Sequence, residues 1–132
     1  MTVMPSASMQ GLAQRLLAVE AARQNASGSD VGVRVCEKLQ ITVTRFAGSA
    51  GFVSLLRRAL ALARAEAPSL QNLKVKPDGA LEGCEALAVE AANGKHEGVV
   101  AIIAHLLGLL ETFVGEPFTL RLVRDAWPDA SL

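Results

Sequence analysis

Aromatic and cysteine residues are scarce in this sequence. Its 132 residues include no tyrosine, one tryptophan, four phenylalanines and two cysteines. Cys36 and Cys84 lie in unrelated segments without a CxxC spacing, so the sequence indicates neither a disulfide framework nor a zinc knuckle. The low aromatic content also argues against a surface that binds nucleic acid by stacking bases.

Motifs for catalysis and for metal binding are missing as well. The chain has no GxSxG and no HExxH sequence, and neither cysteine lies in a nucleophile signature. The segment 48–51, GSAG, lacks both the Walker lysine and the dinucleotide-binding glycine pattern, so we interpret it as a break between helices. The two histidines and two cysteines do not have the spacing of zinc ligands. We therefore predict no catalytic residue, no cofactor and no metal site.

Signals for secretion and for membrane insertion are absent from the sequence. The first ten residues have no positive n-region and no continuous apolar h-region, so we expect a cytoplasmic protein. The most apolar stretch, 98–114, is interrupted by His105 and Glu111 and is shorter than the ~20 residues that a membrane span requires. We expect no membrane span.

Apolar residues are abundant, and the charged residues are unevenly placed. The apolar fraction is 51% and the net charge is zero, which predicts one folded domain over 1–132 with apolar surface left for a partner. Residues 31–76 hold eight lysines and arginines against two acids, whereas residues 77–132 hold three against nine. This asymmetry could join the two halves of one molecule or pair molecules head to tail.

The apolar periodicity predicts a mainly α-helical bundle of five or six helices with one β-hairpin near 73–82. A loose N-terminus at 1–7 and a linker at 25–30 complete the predicted organisation. For 31–47, alternating valines would also fit a strand, but a longer stripe that ends at Phe46 favours a helix. The first helix places Glu20 on its solvated face. The predicted helices are 8–24, 30–47, 49–67, 81–93, 98–114 and 117–126.

The helix at 98–114 is predicted to be central and buried, because apolar side chains cover almost the whole circumference of the helix. A stripe of small residues interrupts them, at Ala101, Ala104, Gly108 and Thr112. Small residues at this spacing permit close helix contact, either with the last helix of the same chain or with a second subunit. We include Leu107 and Trp127 in the predicted interface and expect a homo-oligomer, with a dimer favoured.

Two further sets of residues define alternative functions. A ligand pocket or enzyme site would lie beside His105, with polarity supplied by Glu111, Arg121 and Arg124. A nucleic-acid surface would use the basic residues Arg34, Lys38, Arg45, Arg57 and Arg58. Zero net charge and few aromatic residues argue against nucleic acid. The sequence therefore favours a non-catalytic regulatory or adaptor module that binds a protein partner and self-associates.

Overall fold

The computed structural model describes residues 7–24, 28–67, 70–79, 81–83 and 97–128, and it is mainly α-helical. A two-stranded antiparallel sheet pairs Lys74 with Glu82 and Val75 with Leu81. Both the all-α class and the hairpin near 73–82 are confirmed. The elements in chain order are α1 (Ala7–Gln24), α2 (Gly28–Arg64), β1 (Lys74–Val75), β2 (Leu81–Glu82), α3 (Glu97–Val114) and α4 (Glu116–Ala126).

The number of helices differs from the prediction of five or six, since the described part of the chain has four. The predicted helices 30–47 and 49–67 are two segments of one bent helix, α2. The predicted helix 81–93 was wrong at its start, because residues 81–82 pair as strand β2; residues 84–93 lie outside the described part. The predicted linker at 25–30 was too long, because Gly28–Asp30 already belong to α2; residues 1–6 and 25–27 are not described.

Helix α2 bends sharply at Gly48, which has φ 79° and ψ 165°. A Cβ atom built on Gly79 would lie 3.1 Å from the Cδ of Gln40 and 3.3 Å from the Cδ2 of Phe52. In a straight helix these two residues would be separated by about 18 Å along the axis. The two segments of α2 therefore fold toward each other, and Gly48 forms the corner between them.

A matched pair of glycine substitutions tests this corner. The backbone conformation of Gly48 is one that essentially only glycine adopts, so Gly48→Ala should lower the free energy of unfolding by about 1–3 kcal/mol. Gly11 lies within α1, and an added Cβ would meet nothing within 4 Å. Gly11→Ala should therefore raise the unfolding free energy by about 0.5–1 kcal/mol. Urea denaturation followed by circular dichroism measures both free energies of unfolding. If the two substitutions changed stability equally, Gly48 would not have the glycine-specific backbone conformation that forms the bend.

The core forms around α3, as its apolar sequence predicts. Every residue from Gly98 to Leu107 is buried except Val100, which is half-buried. Helices α1 and α2 pack most extensively against α3, while α4 folds back against α3 and α2 through Leu122 and Val123. The core is therefore shared by all four described helices and is not confined to the pair of α3 and α4 that the short turn at Gly115 suggests.

Side chains of α2 hold the hairpin and the turn that precedes it. The Gln40 side-chain amide donates a hydrogen bond to the carbonyl oxygen of Asp78, at 2.8 Å. The guanidinium of Arg64 donates to the carbonyl oxygens of Leu70 and Leu73. These bonds satisfy backbone acceptors that helix or sheet pairing leaves open. The hairpin is thus attached to the helical body rather than projecting from it.

Among the described residues, the Arg34–Arg64 part of α2 is long and apolar enough to cross a membrane by length and composition. The bend at Gly48 divides this stretch. A single helix of this length and composition is weak evidence for a membrane span, because the core helices of soluble proteins are often equally long and apolar. The stretch singled out from sequence, 98–114, instead lies at the centre of the fold through its buried part, 98–107, whereas Thr112 and Phe113 near its end are exposed.

Candidate protein-interaction surface

Three of the four phenylalanines are exposed. Phe113 is 77% exposed, Phe46 is 41% exposed and Phe118 is 39% exposed, whereas Phe52 is fully buried. Phenylalanine has no polar group that would benefit from contact with water, and it belongs to the residue types most often found inside proteins. Because three of only four phenylalanine rings are exposed, the surface that carries them is a candidate for contact with another molecule.

Phe46 continues the buried stripe of α2 beyond the body of the bundle. Val35, Leu39 and Val43 follow each other at intervals of four residues, and each is fully buried. Phe46 comes three residues later on the same face of the helix. The core contacts end at this point, however, because all six residues from Arg45 to Ala50 are exposed. The apolar stripe is thus longer than the surface that the described part of the chain provides to cover it.

Helix α3 repeats this arrangement at its C-terminal end. Ile102, Leu106 and Leu110 are at most 2% exposed and also recur at intervals of four residues. Phe113 follows three residues after Leu110, on the same face, yet it is the most exposed large apolar side chain of the described residues. Gly115 ends the helix with φ 92°, so no further turn of α3 covers this ring.

A ring contact brings the α2 corner to the start of α4. The rings of Phe46 and Phe118 have centroids 5.5 Å apart and lie edge to face, at 84°. This geometry is favourable for aromatic pairs. Phe118 is three residues after Gly115 and Phe113 is two residues before it, so the three rings belong to the same end of the bundle. We call Phe46, Phe113 and Phe118 the phenylalanine end.

Charges of both signs accompany the phenylalanine end. Arg45 adjoins Phe46 in sequence, and Glu116 lies between Phe113 and Phe118; both side chains are exposed. Among the described residues, neither of them forms an ion pair. The segment from Phe46 to Ala50 is uncharged. An apolar centre with charged residues beside it is the usual anatomy of a protein interface.

The predicted small-residue stripe is divided between interior and surface. Ala101 and Ala104 are buried, as is Leu107, so these residues pack within the chain. Gly108 is half-buried and Thr112 is exposed, with its hydroxyl bonded to the carbonyl oxygen of Gly108. Only the C-terminal half of the stripe is therefore available to another molecule, and it leads directly to Phe113.

Trp127 is buried inside the chain, where it contacts a buried carboxylate. The indole Nε1–H donates to Oε1 of Glu20 at 2.7 Å, and the ammonium group of Lys38 contacts the same oxygen. The Lys38 Nζ also lies 5.7 Å from the centroid of the tryptophan ring, within cation–π range. The prediction of a solvated Glu20 was wrong, since its side chain is fully buried. The prediction relied on the charge of Glu20 alone. The two residues that stabilise the buried carboxylate, Lys38 and Trp127, are distant from Glu20 in sequence.

His105 lies in the core, 2% exposed, and its hydrogen-bond partner is Glu66. The His105 Nε2 and Glu66 Oε2 atoms are 2.7 Å apart. Within the described residues no hydrogen bond or ion pair joins His105 to the other members of the predicted pocket. Glu111 is half-buried on α3, and the remaining two are exposed on α4, namely Arg121 and Arg124. Of the predicted set, His105 alone is in the core, and its partner Glu66 was not among the predicted residues.

The predicted nucleic-acid residues are distributed over both segments of α2. Four of the five are exposed: Arg34, Arg45, Arg57 and Arg58. Lys38 is instead half-buried and engaged with Glu20. Ile41, which is 59% exposed, lies on the same side of the helix as Arg34 and Arg45. This face therefore mixes positive charge with an apolar side chain, and Lys38 contributes to internal structure.

The sequence analysis missed the phenylalanine end, although a local signal was present. Phe46 and Phe113 each precede a helix-breaking glycine by two residues. A stripe residue beside a helix end has few neighbours from its own chain, since the packed body does not extend past that end. Periodicity placed both rings correctly on apolar faces but carried no information about where the covering helices stop.

Comparisons with protein-family models, with curated proteins and with solved structures found no match to this chain. Among the residues that the structure describes, no group of three or more histidine, cysteine, aspartate or glutamate side chains could hold a metal ion. In the described part of the chain, the candidate site is an exposed apolar surface formed by three phenylalanine rings.

Proposed function

We propose that this protein is a non-catalytic regulatory or adaptor module that acts through protein–protein contacts and self-association, with the phenylalanine end as its contact surface. One observation carries the proposal: the buried stripes of α2 and α3 both continue past the body and end in exposed phenylalanines. Apolar surface of this kind is removed from water when a partner covers it, which favours association.

Burial of the exposed rings would contribute measurably to a contact at this surface. Fully burying a phenylalanine contributes about 1.5–3 kcal/mol. Phe113 is 77% exposed, so most of this contribution is still available to an intermolecular contact. In a dimer each copy provides its own ring, and removal of both should weaken association by about 3 kcal/mol, which is roughly 100-fold in Kd.

The test is the molar mass in solution of three proteins over a dilution series, measured by light scattering. The wild-type chain should be a dimer that dissociates on dilution, and Phe113→Ser should shift this dissociation to about 100-fold higher concentration. The matched control is Ile41→Ser, since Ile41 is a 59% exposed apolar residue outside the phenylalanine end. It should leave the mass unchanged. A wild-type chain that is monomeric at all concentrations would overturn self-association.

A further inference from the structure

We infer that the contact is closed and two-fold: the phenylalanine end of one copy docks against the phenylalanine end of a second copy. This inference rests on the proposed function and specifies the partner surface and the symmetry. In a two-fold contact the same patch serves both copies, so the patch must be self-complementary in its apolar surface and in its charges.

The distribution of exposed apolar side chains favours this arrangement over a head-to-tail one. A head-to-tail contact requires a second apolar surface that receives the phenylalanine end of the next molecule. Among the described residues, the one other exposed large hydrophobic side chain is Ile41. Arg34 and Glu37 lie on its side of α2, and Arg45 lies one turn further along, where the exposed run 45–50 begins. Ile41 is therefore a single apolar residue among charges. The surface best matched to the phenylalanine end is therefore another phenylalanine end.

The charges at this end are self-complementary as well. Each copy presents exposed charges of both signs here: Glu116 on one side, and Arg45 together with Arg121, one turn beyond Phe118, on the other. None of the three forms an ion pair within the described residues. When two such ends meet, Arg45 of one copy approaches an end that carries Glu116 of the partner subunit. Opposite charges across a contact select the correct partner and suppress like-charge pairings.

Charge reversal provides the test. Arg45→Glu makes the exposed charges of this end mainly acidic, with the introduced carboxylate and Glu116 against Arg121, and Glu116→Arg makes them all basic. Each variant alone should form homodimers at least tenfold more weakly than the wild-type chain, because its ends repel each other. An equimolar mixture should form mixed dimers at close to the wild-type affinity. Native mass spectrometry over a dilution series resolves the mixed dimer from either homodimer. Arg57→Glu is the control, since Arg57 is exposed on the other segment of α2.

The outcomes separate this inference from the proposed function. If Phe113→Ser dissociates the dimer but the two charge variants fail to form mixed dimers preferentially, the two-fold contact is overturned and self-association through Phe113 stands. A mass that increases without limit with concentration would also overturn it, because a head-to-tail contact forms open chains. A monomeric wild-type chain would overturn self-association, and the two-fold contact with it.

Discussion

Lys38→Met should lower the free energy of unfolding by about 3 kcal/mol, although the side chain is 29% exposed. The substitution keeps the length of the side chain but removes the ammonium group that contacts the fully buried carboxylate of Glu20. Breaking a buried ion pair from one side costs about 3–5 kcal/mol, and partial exposure of the lysine places the expected loss at the lower end. Urea denaturation measures it.

A second variant isolates the electrostatic cause of this loss. Glu20→Gln combined with Lys38→Met should recover most of the lost stability, because the pair is then neutral and an amide oxygen can still accept the hydrogen bond from Trp127. Trp127→Phe keeps an aromatic ring but removes that donor, and should cost about 2 kcal/mol. A double variant as unstable as Lys38→Met alone would show that lost packing, not lost charge, explains the effect.

Phe52→Ala should lower the free energy of unfolding by about 3–5 kcal/mol, since the ring is fully buried and the substitution leaves a cavity. The effect should extend to the hairpin, because a Cβ on Gly79 would lie only 3.3 Å from the Phe52 ring. We expect the amide of Val75, in β1, to exchange faster with deuterium than in the wild-type chain. Hydrogen exchange followed by NMR measures this local change alongside urea denaturation.

Phe52→Leu is the control for volume, and it should cost less than about 1.5 kcal/mol because most of the apolar contact remains. Hairpin exchange should then stay close to that of the wild-type chain. Equal destabilisation by leucine and alanine would contradict the cavity argument. Phe52 and Phe113 also form an informative contrast, since a buried ring should govern stability and an exposed ring should govern association.

The helices were predictable because their signals are local. A helical stripe repeats every three to four residues and decided between helix and strand for 31–47, which the structure confirms; its members are Val31, Val35, Leu39, Thr42 and Phe46. The break at Gly48 and the end of α3 at Gly115 follow from glycine, and both residues have positive φ. The hairpin was visible in the turn residues 77–79, between short segments of alternating apolar character.

Features that depend on distant contacts were not predictable from periodicity. Glu20 and Trp127 are separated by 107 positions, and His105 and Glu66 by 39, so no helical spacing relates either pair. The pocket expected around His105 assumed partners on its own helix and the next one. The carboxylate that meets it comes instead from the turn after α2. Long-range pairings of this kind are decided by how the helices pack.

The sequence by itself determined the local elements of this protein: the helical class, the helix that lies at the centre of the core, the interruption of helical geometry at Gly48 and the hairpin near 73–82. Backbone preferences and apolar periodicity depend on residues that are close in sequence, so the sequence alone is enough to predict the elements that they form. Only the tertiary structure decided that Glu20 is buried and that Phe46 and Phe113 are exposed. Whether a side chain is covered depends on where other helices begin and end, and that is a property of the assembled bundle.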